Sequence, residues 1–156
     1  MQTTRVTRHI HASRSAVYHA LLDPQAIPYW KVPDGMTCHI HSFAATEGGT
    51  FRISLTYDAP TSAGKSTAQT DIYHGRFAKL VPDEQIVEID QFETDDPSMQ
   101  GEMTITYTLT DAANAGTDLH ALHEGLPDGV SPADNELGWQ MSLSKLAALV
   151  EKPNSH

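Results

Sequence analysis

Histidine is the residue type that stands out: nine occur among 156 residues that otherwise carry a formal charge of -10. His9-Ile10-His11 and His39-Ile40-His41 each place two imidazoles two residues apart, which on a β-strand means one face and a geometry that permits metal ligation. Neither pair is completed by a cysteine or by a recognisable set of carboxylates, and a metal needs three or four convergent ligands. Alternation with Val6 and Ile10 also turns His9 and His11 outward. No metal site is therefore expected. His120 and His123, three apart, point to opposite faces of an unbulged strand, so one of them can look inward but they cannot share an ion.

Glu88 and Asp90 are the next candidates. They share parity with Phe92, and a buried carboxyl has a raised pKa that suits a general acid or base. Val87 and Ile89 claim the opposite parity for the core, and strict alternation then leaves both acids in water. Tyr57, Tyr73 and Tyr107 are phenols on strand-like segments, and a buried phenol needs a hydrogen-bond partner that a ligand can provide. Stronger chemistry is missing from the sequence. There is no Gly-x-Ser-x-Gly elbow, Walker loop, dinucleotide glycine fingerprint, His-Glu-x-x-His or Cys-x-x-Cys. No residue is assigned a catalytic role, and no cofactor is expected.

The elements that must position these groups follow from patterning. Arg5 to His11 reads as a strand, and Ser13 caps a short helix carrying Ala16, Val17, Ala20 and Leu21 until Asp23-Pro24 interrupts it. A second helical turn holds Ile27, Tyr29 and Trp30. Strands are expected over Met36 to Ala45, Phe51 to Asp58, Asp71 to Val81, Gln85 to Thr94, Glu102 to Thr110 and Thr117 to Glu124, each bounded by Gly, Pro or Asp turn signals. Met103, Ile105, Tyr107 and Leu109 give the clearest alternation. Asp58 to Thr67, rich in Ala, Pro, Ser, Thr and Gly, reads as a flexible loop. From Pro132 or Ala133 to about Glu151 a long helix presents Asn135, Trp139, Leu143, Leu146 and Val150 as one stripe. The expected fold is α+β, one domain over residues 1–156 with its core at about 4–151: a curved antiparallel sheet of about seven strands wrapped around a long C-terminal helix, with two short helices after the first strand.

Composition narrows the partners. Twenty acidic residues against ten basic ones repel phosphate backbones, so nucleic acid is not expected. No window approaches the eighteen apolar residues of a membrane span, which argues against membrane insertion. The lone cysteine, Cys38, and an opening segment without an apolar signal core imply a cytoplasmic protein.

Several segments appear in a familiar order: Ala20-Leu21-Leu22-Asp23-Pro24 with Trp30 and Pro33, Glu47-Gly48-Gly49-Thr50-Phe51-Arg52, Gly75-Arg76-Phe77, Gly116-Thr117, His123-Glu124-Gly125-Leu126-Pro127 and Asn135-Glu136-Leu137-Gly138-Trp139. In this the chain resembles a single-domain member of the activator of Hsp 90 ATPase homologue family, within the START-like or SRPBCC superfamily. The resemblance implies a helix-grip (START/Bet v 1-like) fold with a cavity between the last helix and the sheet. It also favours His123 as the inward-facing histidine, because that residue falls in the His-Glu-Gly-Leu-Pro stretch.

The ligand-binding residues expected on this basis are Trp30, Phe51, Ile53, Tyr57, Tyr73, Phe92, Met103, Ile105, Tyr107, His123, Trp139 and Leu143. Three functions are then open. The first is the binding of a small hydrophobic or aromatic molecule, driven by burial of apolar surface at about 25 cal/mol per Å2. The second is a cyclase, hydrolase or dehydratase acting on such a molecule, with His123, Tyr107 or a buried Asp90 moving protons. The third, suggested by the family name alone, is an interaction domain with a protein partner that stimulates an Hsp 90-type ATPase. Ligand identity and oligomeric state are not encoded in any motif.

Overall fold

A computed structural model describes residues 2–58 and 70–151. Of the expected loop, residues 59–67 lie outside the described residues. Seven strands and three α-helices are present: β1 (Gln2–Ile10), α1 (Arg14–Leu21), α2 (Ile27–Trp30), β2 (Met36–Phe43), β3 (Thr50–Tyr57), β4 (Thr70–Val81), β5 (Gln85–Phe92), β6 (Met103–Asp111), β7 (Thr117–Leu126) and α3 (Pro132–Val150).

The strands form one antiparallel sheet in the order β1-β7-β6-β5-β4-β3-β2. Consecutive strands β1 and β2 occupy opposite edges, so the chain between them must cross a face of the sheet, and it does so as α1 and α2. The sheet curves, and α3 packs on β1, α1 and α2 over the concave side. Serine caps both α1 and α3. The Ser13 hydroxyl accepts from the Ala16 amide at 3.1 Å, and Ser131 caps α3 by accepting from Asp134 at 3.3 Å, with Pro132 in the first turn.

β6 buries Met103, Ile105, Tyr107 and Leu109, as its alternation requires. This strand decides the facing of its neighbour. Directly paired residues in an antiparallel ladder share a face, and Ile86 pairs with Tyr107, Glu88 with Ile105 and Asp90 with Met103. Glu88 and Asp90 are therefore turned into the interior, 1% and 3% exposed, while Val87 and Ile89 are only half-buried. The expectation that the two acids sit in water is thus reversed. Apolar character within β5 favoured one parity, and register against β6 imposes the other.

α3 is divided along its length. Leu143, Leu146 and Ala147 in its second half are fully buried in the core. Its first half carries Asn135, Gly138, Trp139 and Ser142 toward the sheet. Gly138 and Ser142 are one turn apart and small, so this half of the helix stands over open space instead of filling it. Val150, expected at the end of the buried stripe, is half-buried.

Candidate ligand pocket

A cavity of about 540 Å3, partly open to solvent, lies under the first half of α3. Its walls come from six strands: Met36 on β2, Leu55 and Tyr57 on β3, Asp71 and Tyr73 on β4, Asp90 and Phe92 on β5, Met103 and Ile105 on β6, and His123 and Leu126 on β7. Lys31 and Pro33 contribute from the segment after α2, and Trp139, Leu137, Met141 and Ser142 from α3.

One end of this apolar space is polar. Lys31 follows directly on α2, between the buried Trp30 and Val32, and its Nζ donates to both oxygens of Glu88, at 2.8 and 3.1 Å. The ammonium also lies 5.8 Å from the ring centroid of Phe51 and 5.9 Å from that of Tyr107. Burial opposes the charge on Lys31, but Glu88, Asp90 and the hydrogen bond to Glu88 outweigh it and raise its pKa. Lys145 fixes the same segment to α3 by donating to the Val32 carbonyl, with Asp34 3.4 Å away.

Asp90 lines the same space. Burial foremost, and then the charge of Glu88, push its pKa well above the carboxylate range against the pull of Lys31. Its Oδ1 is buried without a hydrogen-bond partner. The side chain fits because residue 75, directly across the ladder on β4, is glycine: a Cβ there would stand 2.7 Å from Asp90 Oδ1, 2.7 Å from Phe51 Cζ and 2.4 Å from the Ile89 carbonyl oxygen. Tyr73 and Tyr107 are both buried, and burial together with the two acids raises their pKa values well above 10. The Tyr107 hydroxyl lies in the field of Glu88 yet meets no partner in hydrogen-bonding geometry.

His123 forms the opposite wall with Trp139. The indole Nε1–H donates to His123 Nδ1 at 3.0 Å, so Nδ1 must carry the lone pair and Nε2 the proton, which points at Met103 Sδ 3.1 Å away. The rings of His123 and Trp139 meet edge-to-face at 5.9 Å, and Trp139 meets Tyr107 in the same manner at 5.7 Å. Burial lowers the His123 pKa to about 4, with Glu88 opposing and Lys31 assisting that shift, so the ring is neutral at pH 7.

Seven of the twelve sequence-derived residues line this cavity: Tyr57, Tyr73, Phe92, Met103, Ile105, His123 and Trp139. Trp30, Phe51, Ile53, Tyr107 and Leu143 do not, and all five are buried in the core around it. Trp30 instead fastens α2 to α1 by donating to the Ala20 carbonyl at 3.1 Å. Phe51 and Tyr107 act at one remove, as the rings that flank Lys31. Sequence reasoning missed Lys31 and Asp71, put Asn135 on the inward stripe of the last helix without counting it among the ligand-binding residues, and placed Glu88 and Asp90 outside. For Lys31 a signal exists: a lone lysine between two residues that both become core, in a chain with two acids on an interior strand.

The histidine pairs lie elsewhere. His39 and His41 are exposed with ring centroids 4.6 Å apart, and His9 contacts Asp118 at 3.0 Å on the outer surface. Among the described residues no group of three or more His, Cys, Asp or Glu side chains converges to hold a metal ion. No helix among them is long and apolar enough to cross a membrane.

Comparison with known proteins places this geometry in a lineage. A structure of a Chromobacterium violaceum protein is 37% identical, superposes with a TM-score of 0.86, and the match covers 97% of this chain and 98% of that one. Proteins from Arthrobacter aurescens (14% identity, TM-score 0.78, 97% and 87% covered) and Rhodobacter sphaeroides (20%, 0.75, 95% and 91%) share the fold. No protein with a curated description matches the sequence. The family model described as activator of Hsp90 ATPase homolog 1-like protein matches residues 11–151, nearly the whole chain, and this protein belongs to that family.

Proposed function

We propose that the protein binds a small hydrophobic or aromatic organic molecule in the cavity between α3 and the sheet. The observation that carries this reading is the cavity itself. Its volume of about 540 Å3 falls within the range of about 300–1,000 Å3 usual for small-molecule sites, and mostly apolar walls with a few placed polar groups have the composition of such sites. Small residues at 138 and 142 hold the space open while the rest of α3 packs tightly. The test is to purify the protein under native conditions, extract it with organic solvent and analyse the extract by mass spectrometry. A discrete compound at near-stoichiometric amount supports the reading, and repeated extracts with none count against it.

Turnover of the bound molecule is a second reading, favoured by the buried Asp90 carboxyl in the cavity wall, whose pKa burial raises. It has less support than binding. His123, the natural partner for proton transfer, has its lone pair engaged by Trp139 and accepts a proton only by breaking that bond. A protein-docking role has the least support: the exposed large hydrophobic side chains among the described residues are Tyr29 and Leu137, and Leu137 is itself at the cavity.

A further inference from the structure

Tyr73 carries a hydroxyl that the packing around it does not need. Its ladder partners are Ile53 on β3 and Phe92 on β5, and its ring meets that of Phe51 edge-to-face with centroids 6.3 Å apart. All three neighbours are apolar, so phenylalanine would fill the same place with no polar atom to satisfy. Among the described residues nothing hydrogen-bonds the Tyr73 hydroxyl. The other two tyrosines of this face differ. Tyr57 ends β3 half-buried, where water reaches it. The Tyr107 hydroxyl is sealed in the core, and Tyr107 is not part of the cavity wall. Tyr73 is 7% exposed, its hydroxyl is not sealed as that of Tyr107 is, and the open space on its side of the sheet is the cavity whose wall it forms.

A guest that fills this space shuts water out. The phenol is then buried unpaired, which weakens binding unless the guest itself supplies a partner. Other polar groups of the wall are committed within the protein. Lys31 holds both oxygens of Glu88, and His123 accepts from Trp139 through Nδ1 and turns Nε2 to Met103. Ser142 is a helical serine, for which the carbonyl one turn back on its own helix is an available acceptor. A phenol donates better than it accepts, because its lone pairs delocalise into the ring. It keeps its hydrogen at pH 7, since its ordinary pKa is about 10 and burial with Asp90 and Glu88 nearby moves it further up. The partner it selects is therefore an acceptor. A hydroxyl on the guest would add a hydrogen that needs an acceptor in turn, whereas a carbonyl oxygen adds none.

Resting on the pocket reading above, we infer that Tyr73 orients the ligand by donating its hydroxyl hydrogen to a carbonyl oxygen carried on an apolar or aromatic body. A ketone, a quinone or an ester fits this description. A hydrocarbon of the same shape leaves the hydroxyl unpaired and is selected against.

The test uses two probes of one shape, 2-acetylnaphthalene and 2-isopropenylnaphthalene, in which a CH2 group replaces the carbonyl oxygen. Both are titrated by calorimetry at pH 7 into the full chain and into its Tyr73→Phe variant, which keeps the ring and loses the hydroxyl. The substitution should weaken binding of the ketone about tenfold, the value of one buried hydrogen bond, and that of the alkene by no more than about twofold. A change in cavity shape or a folding defect would weaken both probes alike, so the difference between them reads the hydroxyl. Equal losses for the two probes, or an undiminished ketone, overturn the inference while the pocket reading stands. Failure of both probes to bind the wild type overturns the two together.

Discussion

Trp139 on α3 donates its indole hydrogen to Nδ1 of His123 on β7 across 3.0 Å, and this bond ties the helix to the sheet at the wall of the cavity. The bond requires a neutral imidazole, because a doubly protonated ring offers no acceptor. With the folded-state pKa lowered from 6.5 to about 4, the folded protein binds fewer protons here than the unfolded chain between those values. The stability contributed is complete above about pH 6.5 and is lost as pH falls toward 4, by on the order of 3 kcal/mol. Asp90, whose pKa is raised, contributes a slope of opposite sign, and Glu93, held at about 2 by its hydrogen bonds to Arg52 and His74, acts at lower pH. Urea unfolding of the wild type and of His123→Gln from pH 7 to pH 4 isolates the term: the wild type should lose more stability than the variant over that interval.

Lys31 and Glu88 form a buried pair whose halves are unequal in risk. Lys31→Met leaves Glu88 with no cation in the interior and should cost about 3–5 kcal/mol in denaturant unfolding. Lys31→Met combined with Glu88→Gln removes both charges and should recover most of that loss. A double variant no more stable than Lys31→Met would show that the pair is not coupled.

Gly75→Ala tests the close approach on β4. Its new Cβ would lie 2.4 Å from the Ile89 carbonyl oxygen, so backbone must shift, and the cost should be about 1–3 kcal/mol. Adding Asp90→Ala removes one of the three clashing groups and should restore only part of the stability, measured as the change in unfolding midpoint at constant slope.

The sheet and its closing helix were legible because their patterns are strict. Met103, Ile105, Tyr107 and Leu109 admit one facing, and Leu143 and Leu146 lie on one stripe of α3. β5 was not legible, since Val87 and Ile89 compete with Glu88 and Asp90 for the interior and only pairing with β6 settles the contest. The histidine of the two candidates at 120 and 123 that turns inward is His123, and His120 is exposed. The cavity wall was harder to read than the core, because aromatic residues such as Phe51 and Tyr107 suit either place. The gap itself depends on what α3 lacks at Gly138 and Ser142, and small residues on a helix leave no distinctive pattern in a sequence.

The same gap allows a direct test of ligand binding. A Cβ at Gly138 would meet nothing closer than Pro33 Cγ at 3.8 Å, so Gly138→Leu should project a side chain into the cavity without disturbing the fold. Replacing a helix-interior glycine should also raise stability by up to about 1 kcal/mol. In 1H–15N correlation spectra the two indole N–H signals separate the cavity from the core: Trp139 lines the cavity, and Trp30 is sealed between α1 and α2. Titration of the wild type with 2-naphthol should shift the Trp139 indole signal saturably and leave that of Trp30 in place, and Gly138→Leu should abolish the shift. An unmoved Trp139 signal, or a shift that survives in the plugged variant, would contradict binding under α3.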